Sequence, residues 1–343
     1  VDLPSGINAD TGEFHPSTIS ADTTFMIGNA KIGLIQSAAT NHTGALAVVP
    51  VAPLTHQEPT SADLICPQTL TYAKSPRPYD FHKGMAGKVS ILAGSSSFTG
   101  AAALAALGAL RGGAGLITLH VPMQVRDVVT SRCPKEIMVK GYATIADIHD
   151  TDADARLAGC GLGELDPTQT EQLFDWIAQS KQPTVLDADA LNAIAKHKRH
   201  DLLSPHHVLT PHPGEFERLA PDLAAKTPEE RCNEFTHQFP ATLLLKGSRT
   251  LIQQNGGTLL ANSTGNPGMA TGGQGDLLAG VIVSQLAAGL STVDAACLSA
   301  WLCGRAAEQA LQRMSKLSEE SLTPSDVADH LGAAHRDWKQ ASR

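Results

Sequence analysis

The chain has 343 residues, 42% of them hydrophobic but only 4% aromatic, with 30 glycines and a formal charge of −8. That length supports one large domain plus something extra, the glycines suit helices packed closely on strands, and the acidic balance leaves no basic surplus for a nucleic-acid backbone. Six scattered cysteines with no CxxC pair speak against zinc or a disulfide framework, and no apolar run nears the roughly 20 residues of a membrane span, so the chain reads as a cytoplasmic protein with reduced thiols.

The opening at Val1 rather than Met reads as a piece of a longer protein. Apolar stretches at Thr23 to Ile27 and Ala45 to Val51 predict short strands, too few to close a core of their own. Prolines at 53, 59, 67, 76 and 78 disfavour helix and central strand alike, predicting a linker over 52–80. The boundary falls near residue 70, dividing a small segment, 1–70, from a main domain, 71–343. There Val89 to Ala93 predicts a buried strand, Gly94-Ser-Ser-Ser-Phe-Thr-Gly100 a turn, Ala101 to Leu110 a helix and Leu116 to Val121 a second strand, together a parallel βαβ unit. Further strands are predicted at Glu136 to Val139, Arg156 to Gly159, Thr184 to Asp187, Val208 to Thr210 and Ala241 to Lys246. Helices at about 168–180, 213–219 and 227–238 fall between several of them. An Asn-Gly-Gly turn between Thr250 to Gln254 and Thr258 to Ala261 signals a hairpin, and two apolar helices, about 275–289 and 293–312, complete an α/β, doubly wound, mainly parallel sheet flanked by helices.

The stretch with most chemical content is Asn262-Ser-Thr-Gly-Asn-Pro-Gly-Met-Ala-Thr-Gly-Gly-Gln-Gly-Asp276, which runs into an apolar helix. Glycines at a helix start free backbone N–H groups, which with the positive helix end receive phosphate oxygens without a basic side chain. Asp276 at the mouth of such a pocket suits a general base taking the proton from a hydroxyl that attacks phosphorus, though Asp is also a common helix cap. Lys246-Gly-Ser-Arg-Thr250 ends a strand on a lysine able to reach a phosphate, yet it is no Walker A loop, and a lysine after a strand is most often simply solvated. Thr210-Pro-His-Pro-Gly-Glu215 holds His212 at a strand's carboxyl end, where open α/β sheets bind ligands. Glu215 fits the first turn of a helix as well as it fits phosphate or metal chemistry. Gly159-Cys-Gly-Leu-Gly163 and Asp187-Ala-Asp189 follow strands in the same way: glycines permit close approach, acids can hold magnesium through water, and Asp189 can equally cap a helix.

Taken in order, His82-Lys-Gly, Ala93-Gly-Ser, Thr99-Gly-Ala-Ala102, the His212 segment, Lys246-Gly and the 262–276 glycine stretch resemble the ADP- or ATP-dependent NAD(P)H-hydrate dehydratases, a ribokinase-like family, over roughly residues 80–340. The resemblance implies Asp276 as catalytic base, with Ala102, Gly161, His212 and Asp276 on the hydrated nicotinamide nucleotide. It places Lys246, Gly247, Ser248, Arg249, Thr250 and Gly275 on the adenine nucleotide. It also implies Mg2+, ADP in preference to ATP as phosphoryl donor, NADHX and NADPHX as substrates, and a homotetramer. Gln274 departs from the small hydroxyl residue more usual before Gly-Asp. Val1-Asp-Leu-Pro-Ser-Gly6, Ala9-Asp-x-Gly12 and Ala21-Asp-x-Thr24 resemble the closing part of the NAD(P)H-hydrate epimerase domain that precedes the dehydratase in bifunctional members. By that likeness Asp2 touches the hydrate and Ser5 a potassium ion, but with the rest of the site missing no epimerase activity is expected of these residues. The competing readings are a small-molecule kinase of the same superfamily, which would release a phosphorylated product, and a non-catalytic nucleotide-binding protein, which would bind without turnover.

Overall fold

Every strand predicted from Val89 onward forms, and all of them enter one sheet. The computed structural model describes residues 1–51, 60, 62–70, 77–313 and 316–341. In chain order the first segment holds β1 (Thr23–Ile27), α1 (Ile32–Ile35), α2 (Thr40–Thr43), β2 (Ala45–Val49) and β3 (Ala62–Ile65). Then follow β4 (Lys88–Leu92), α3 (Thr99–Gly112), β5 (Leu116–Pro122), α4 (Arg126–Arg132), β6 (Met138–Tyr142), β7 (Ala155–Ala158), α5 (Pro167–Ala178), β8 (Thr184–Leu186) and α6 (Ala188–His197). The chain continues through β9 (His207–Leu209), α7 (Pro213–Leu219), α8 (Pro228–Gln238), β10 (Thr242–Leu245), β11 (Leu251–Gln254), β12 (Leu259–Asn262), α9 (Gln274–Ala287), α10 (Thr292–Arg313) and α11 (Pro324–Ala341).

Among the described residues ten strands form the main sheet in the order β3-β12-β11-β10-β9-β8-β7-β4-β5-β6. Pairing is parallel from β10 through β6, and antiparallel where the β11–β12 hairpin joins β10. Strands β7 to β10 are buried at every position, as strands covered on both faces must be. Alternate residues divide between two cores. Ile91, Leu119, Leu157, Val185, Val208 and Leu244 face the layer containing α3, α9, α10 and α11, while Leu92, Ala158, Leu186, Leu209 and Leu243 face the layer containing α5 to α8. Helix starts follow sequence signals: Asp166 with Gln169 and Thr227 with Glu230 close capping boxes, each followed by proline at the first helical position.

Helix α9 lies unusually close to α3. A Cβ added at Gly280 would stand 2.0 Å from the Ala105 carbonyl oxygen, and one at Gly108 2.2 Å from that of Leu277. Glycine is therefore required on both sides, and the contact fixes where the first turn of α9 points.

Strand β3 corrects the reading of 52–80 as linker throughout. Ala62–Ile65 pairs in parallel with β12 at the sheet edge and buries Leu64 and Ile65. Four residues between Pro59 and Pro67 are too few to show a period, and an edge strand tolerates prolines just outside it. The remainder of that range, 52–59, 61 and 71–76, lies outside the described residues.

The expected strands of the first segment form as a parallel pair, β1 with β2, a separate two-stranded sheet. The segment closes its core by sharing one: Ile7, Met26, Leu34, Ile35 and Leu46 are buried in the cluster that contains Leu209, Phe216 and Phe235 of the main domain. Ser37 also donates its backbone N–H to Glu229 Oε1 at 3.2 Å.

Candidate active site

Five neighbouring strands, β4, β7, β8, β9 and β10, end side by side, and each is followed by a stretch singled out above. The glycine-rich Gly159–Gly163 turn leaves β7, with Gly159, Gly161 and Gly163 at φ of 125°, 64° and 72°. A side chain at Gly159 would strike the Asp187 carbonyl oxygen at 1.8 Å, so the turn after β7 lies directly on the one after β8. This brings Cys160 beside Asp187, Sγ to Oδ2 3.8 Å.

Asp187 is the hub. It occupies the N-cap position of α6 but does not cap it; Oδ1 accepts from Thr210 Oγ1 at 2.8 Å and from Lys246 Nζ at 3.0 Å. The next residue, Ala188, has φ 45°, a left-handed conformation costly for a residue bearing a Cβ, which surrounding contacts must hold. Lys246 also faces Glu215 Oε2 at 3.7 Å. Burial pushes the Lys246 ammonium down, but Asp187 and Glu215 outweigh it and hold the group above its ordinary value, so it is charged at neutral pH.

Asp276 enters from the other side, in the first turn of α9. The cap of that helix is Gly273, at φ 93°, so the reading of Asp276 as the cap does not hold. The ligand atoms of Cys160, Asp187 and Asp276 lie within 4.8 Å of one another. Desolvation first, and then the like charge of Asp187, raise the Asp276 carboxyl to about 6. That is the range of a general base working near neutrality. Burial and the two carboxylates also push the Cys160 thiol well up, leaving it protonated and able to donate to them. Gly275 lies over this group; a Cβ there would stand 3.1 Å from Lys246 Nζ and 3.9 Å from Asp187 Oδ2. The cluster is thus one lysine facing three acids, beneath the N–H groups of a helix N-terminus.

The other singled-out residues lie around this cluster or apart from it. His212 is half exposed and caps α7, its Nδ1 accepting from Gly214 N at 3.1 Å and Glu215 N at 3.4 Å. Glu215 closes the box by accepting from His212 N at 2.8 Å, so it serves the first helical turn and faces Lys246 at once. Asp189 accepts from Gly163 N at 2.7 Å, tying the glycine turn to α6 rather than capping it. Gly161 sits against Phe98 and Ala101, with Phe98 exposed at the edge. Ala102 is fully buried, with its methyl packed against Gly94. Gly247 and Ser248 are exposed and Thr250 half-buried, whereas Arg249 turns inward to the first segment, donating from Nη2 to Thr43 Oγ1 at 3.1 Å and Gly44 O at 2.6 Å. Asp2 and Ser5 stay in the first segment: Asp2 accepts from Ile27 N at 2.9 Å and from Lys31 Nζ, while Ser5 is exposed.

A family profile described as NAD(P)H-hydrate dehydratase matches residues 89–329, a span that contains every residue of this cluster. The bifunctional NAD(P)H-hydrate repair enzyme of Moorella thermoacetica is 35% identical over 363 residues, covering 99% of this chain and 67% of its own length. The chain belongs to the NAD(P)H-hydrate dehydratase family. It spans about two thirds of the length of such curated relatives. Among solved structures, the ADP/ATP-dependent NAD(P)H-hydrate dehydratase of Bacillus subtilis, co-crystallised with ATP and Mg2+, is 28% identical with a TM-score of 0.65, over 78% of this chain and 95% of that one. A ribokinase-like superfamily protein from Enterococcus faecalis, 26% identical, superposes with a TM-score of 0.71 over 82% and 98% of the two chains. The main domain therefore has the ribokinase-like dehydratase fold, with the Asp276 cluster at the carboxyl ends of its strands. No described helix is long and apolar enough to cross a membrane.

Proposed function

We propose that this dehydratase-family chain restores NADH and NADPH from the S-epimers of their hydrates, NADHX and NADPHX, using a nucleotide, ADP in preference to ATP, as phosphoryl donor. The observation that carries the proposal is the Asp276 carboxyl, partly buried beside Asp187 and raised to about 6, at the start of α9 where phosphate oxygens are best received. In this reading Asp276 takes the proton of the C6 hydroxyl as that oxygen attacks the terminal phosphorus of the donor, leaving AMP from ADP. Phosphate then departs from C6, and a proton is lost from the adjoining ring carbon, which regenerates the double bond. Phosphorylation matters because phosphate is a far better leaving group than hydroxide.

Lys246, held by Asp187 and Glu215, is the cation of the cluster and lies under Gly275, placed to meet a donor phosphate. The exposed Gly247 and Ser248, with Thr250, offer the nucleotide backbone and hydroxyl contacts. Gly161, His212 and Ala102 are assigned to the side left for the hydrate. Magnesium, a hard cation preferring oxygen and retaining waters, is poorly served by a trio containing the Cys160 thiol and an Asp187 already neutralised by Lys246. Mg2+ would be brought in by the nucleotide phosphates, whose charge it would offset, with Asp187 and Glu215 as the carboxylates that would help hold it. The working assembly in this proposal is a homotetramer, checked by light scattering. The first segment is proposed as part of an epimerase domain, with the boundary near residue 70 except that β3 already adds to the main sheet; its Asp2 would touch the hydrate and its Ser5 potassium only in a complete epimerase site.

Recovery of the near-ultraviolet absorbance of the reduced ring tests the proposal: hydrated NADH is mixed with the protein, Mg2+ and either ADP or ATP, alongside Asp276→Ala. Recovery with one nucleotide, lost in the variant, is expected. A phosphorylated product that accumulates without recovery would instead establish a small-molecule kinase.

A further inference from the structure

We infer that Arg249 is a positioning residue which ties the donor-nucleotide loop to the first segment, so that nucleotide affinity depends on the turn that leads into β2. The inference rests on the proposed reading of Lys246–Thr250 as the loop that holds the nucleotide.

The loop has two sides. Lys246 meets the acidic cluster, Gly247 and Ser248 are exposed, and Arg249 goes the opposite way, with only 6% of its surface exposed. Its Nη2 donates to Gly44 O at 2.6 Å and Thr43 Oγ1 at 3.1 Å, while its Nε has no hydrogen-bond partner among the described residues. Burial lowers the guanidinium, but only to about 10, so it remains a cation in neutral surroundings. No described carboxylate pairs with it, and a buried charge held by neutral acceptors alone depends heavily on each of them.

Those acceptors are themselves fixed. Gly44 sits at φ 59°, and a Cβ there would lie 2.3 Å from the carbonyl oxygens of both Ala21 and Asp22. Thr24 Oγ1 donates to Thr43 O at 2.7 Å, and Ala45 N to Asp22 O at 3.0 Å, locking the turn to the start of β1. On the other side of Arg249, Thr250 O accepts from Asn262 N at 2.9 Å, and Asn262 leads directly into the glycine stretch before Asp276. A cation threaded between two rigid turns sets the height of the loop backbone. Were Thr43 and Gly44 displaced, Arg249 would be buried without acceptors and the loop would have to rearrange.

The test compares the full chain with Arg249→Met, which keeps the stem and removes the donors, Arg249→Lys, and Thr43→Val, which removes one acceptor and keeps the shape. KM for ADP or ATP, KM for hydrated NADH and kcat are read separately, with nucleotide-induced change in Tm as a readout independent of turnover. Expected are a nucleotide KM raised about tenfold in Arg249→Met and about threefold in Thr43→Val, partial recovery in Arg249→Lys, and hydrate KM and kcat within about twofold of the parent. Arg249→Met or Thr43→Val with an unchanged nucleotide KM, or with kcat and both KM values moving together, overturns the inference. If Arg249→Met does not fold, Thr43→Val alone decides it. Failure of the underlying reading shows separately, as a parent protein that neither binds nor uses nucleotide.

Discussion

Replacing Asp276 with Asn should abolish turnover and at the same time make the protein more stable. Asparagine is isosteric with the Asp276 side chain, whose carboxyl is raised from an ordinary 3.8 to about 6 by desolvation and by Asp187. At about 1.4 kcal/mol per pH unit, keeping that group ionised in the folded state at neutral pH costs about 3 kcal/mol. The sign follows from linkage: the folded state binds the proton more tightly than the unfolded one, so the penalty is fully present above pH 6. It diminishes as pH falls and is nearly gone below the unfolded value of 3.8. The amide of Asp276→Asn would carry no charge and so no penalty. Urea unfolding at pH 7.5 should show the variant more stable by about 2–3 kcal/mol, and the gain should shrink to about half at pH 5. Loss of the base should lower kcat by roughly 100- to 10,000-fold. A variant no more stable than the parent at pH 7.5, or a gain that does not change with pH, would refute the placement of Asp276 as a strained, partly desolvated carboxylate.

Because Asp276 must be ionised to accept a proton, kcat/KM should fall on the acid side with a midpoint near pH 6, and Cys160→Ala, which removes a thiol that lowers this carboxyl, should move the midpoint upward; a midpoint near 4, or one unmoved by the substitution, counts against the assignment. Lys246→Met leaves Asp187 and Glu215 without their cation and should cost about 3 kcal/mol in urea unfolding while raising the nucleotide KM; full stability with normal kinetics would show that the lysine is an ordinary strand end. Gly280→Ala places a Cβ 2.0 Å from the Ala105 carbonyl and should destabilise by roughly 2–3 kcal/mol with a drop in kcat, since α9 carries Asp276. Retention of both stability and rate would mean that α3 and α9 can separate without disturbing the site.

The sequence by itself determined the layout of the main domain and which turns follow its strands. Runs such as Thr242–Leu245 are apolar at nearly every position, periodicity marks the helices near 168–180 and 227–238, and the glycines before Asp276 announce the turn into α9, because each signal is local and needs no partner to be read. Strand β3 was not legible, since four residues between prolines become a strand only when β12 supplies the ladder. The direction of Arg249 was not legible: a side chain beside Lys246 in sequence can point to either face, and only the turn at Thr43 and Gly44 shows which. Asp187, read as one of two acids after a strand, became the hub because folding brings Cys160, Thr210, Lys246 and Asp276, spread over more than a hundred residues, to adjoining strand ends. Chemistry of that kind is a property of distances between strands. Periodicity and turn signals report what a segment will be, whereas sheet order and the close α3–α9 contact decide which segments meet, and therefore which carboxylate is raised and which cation is held in place.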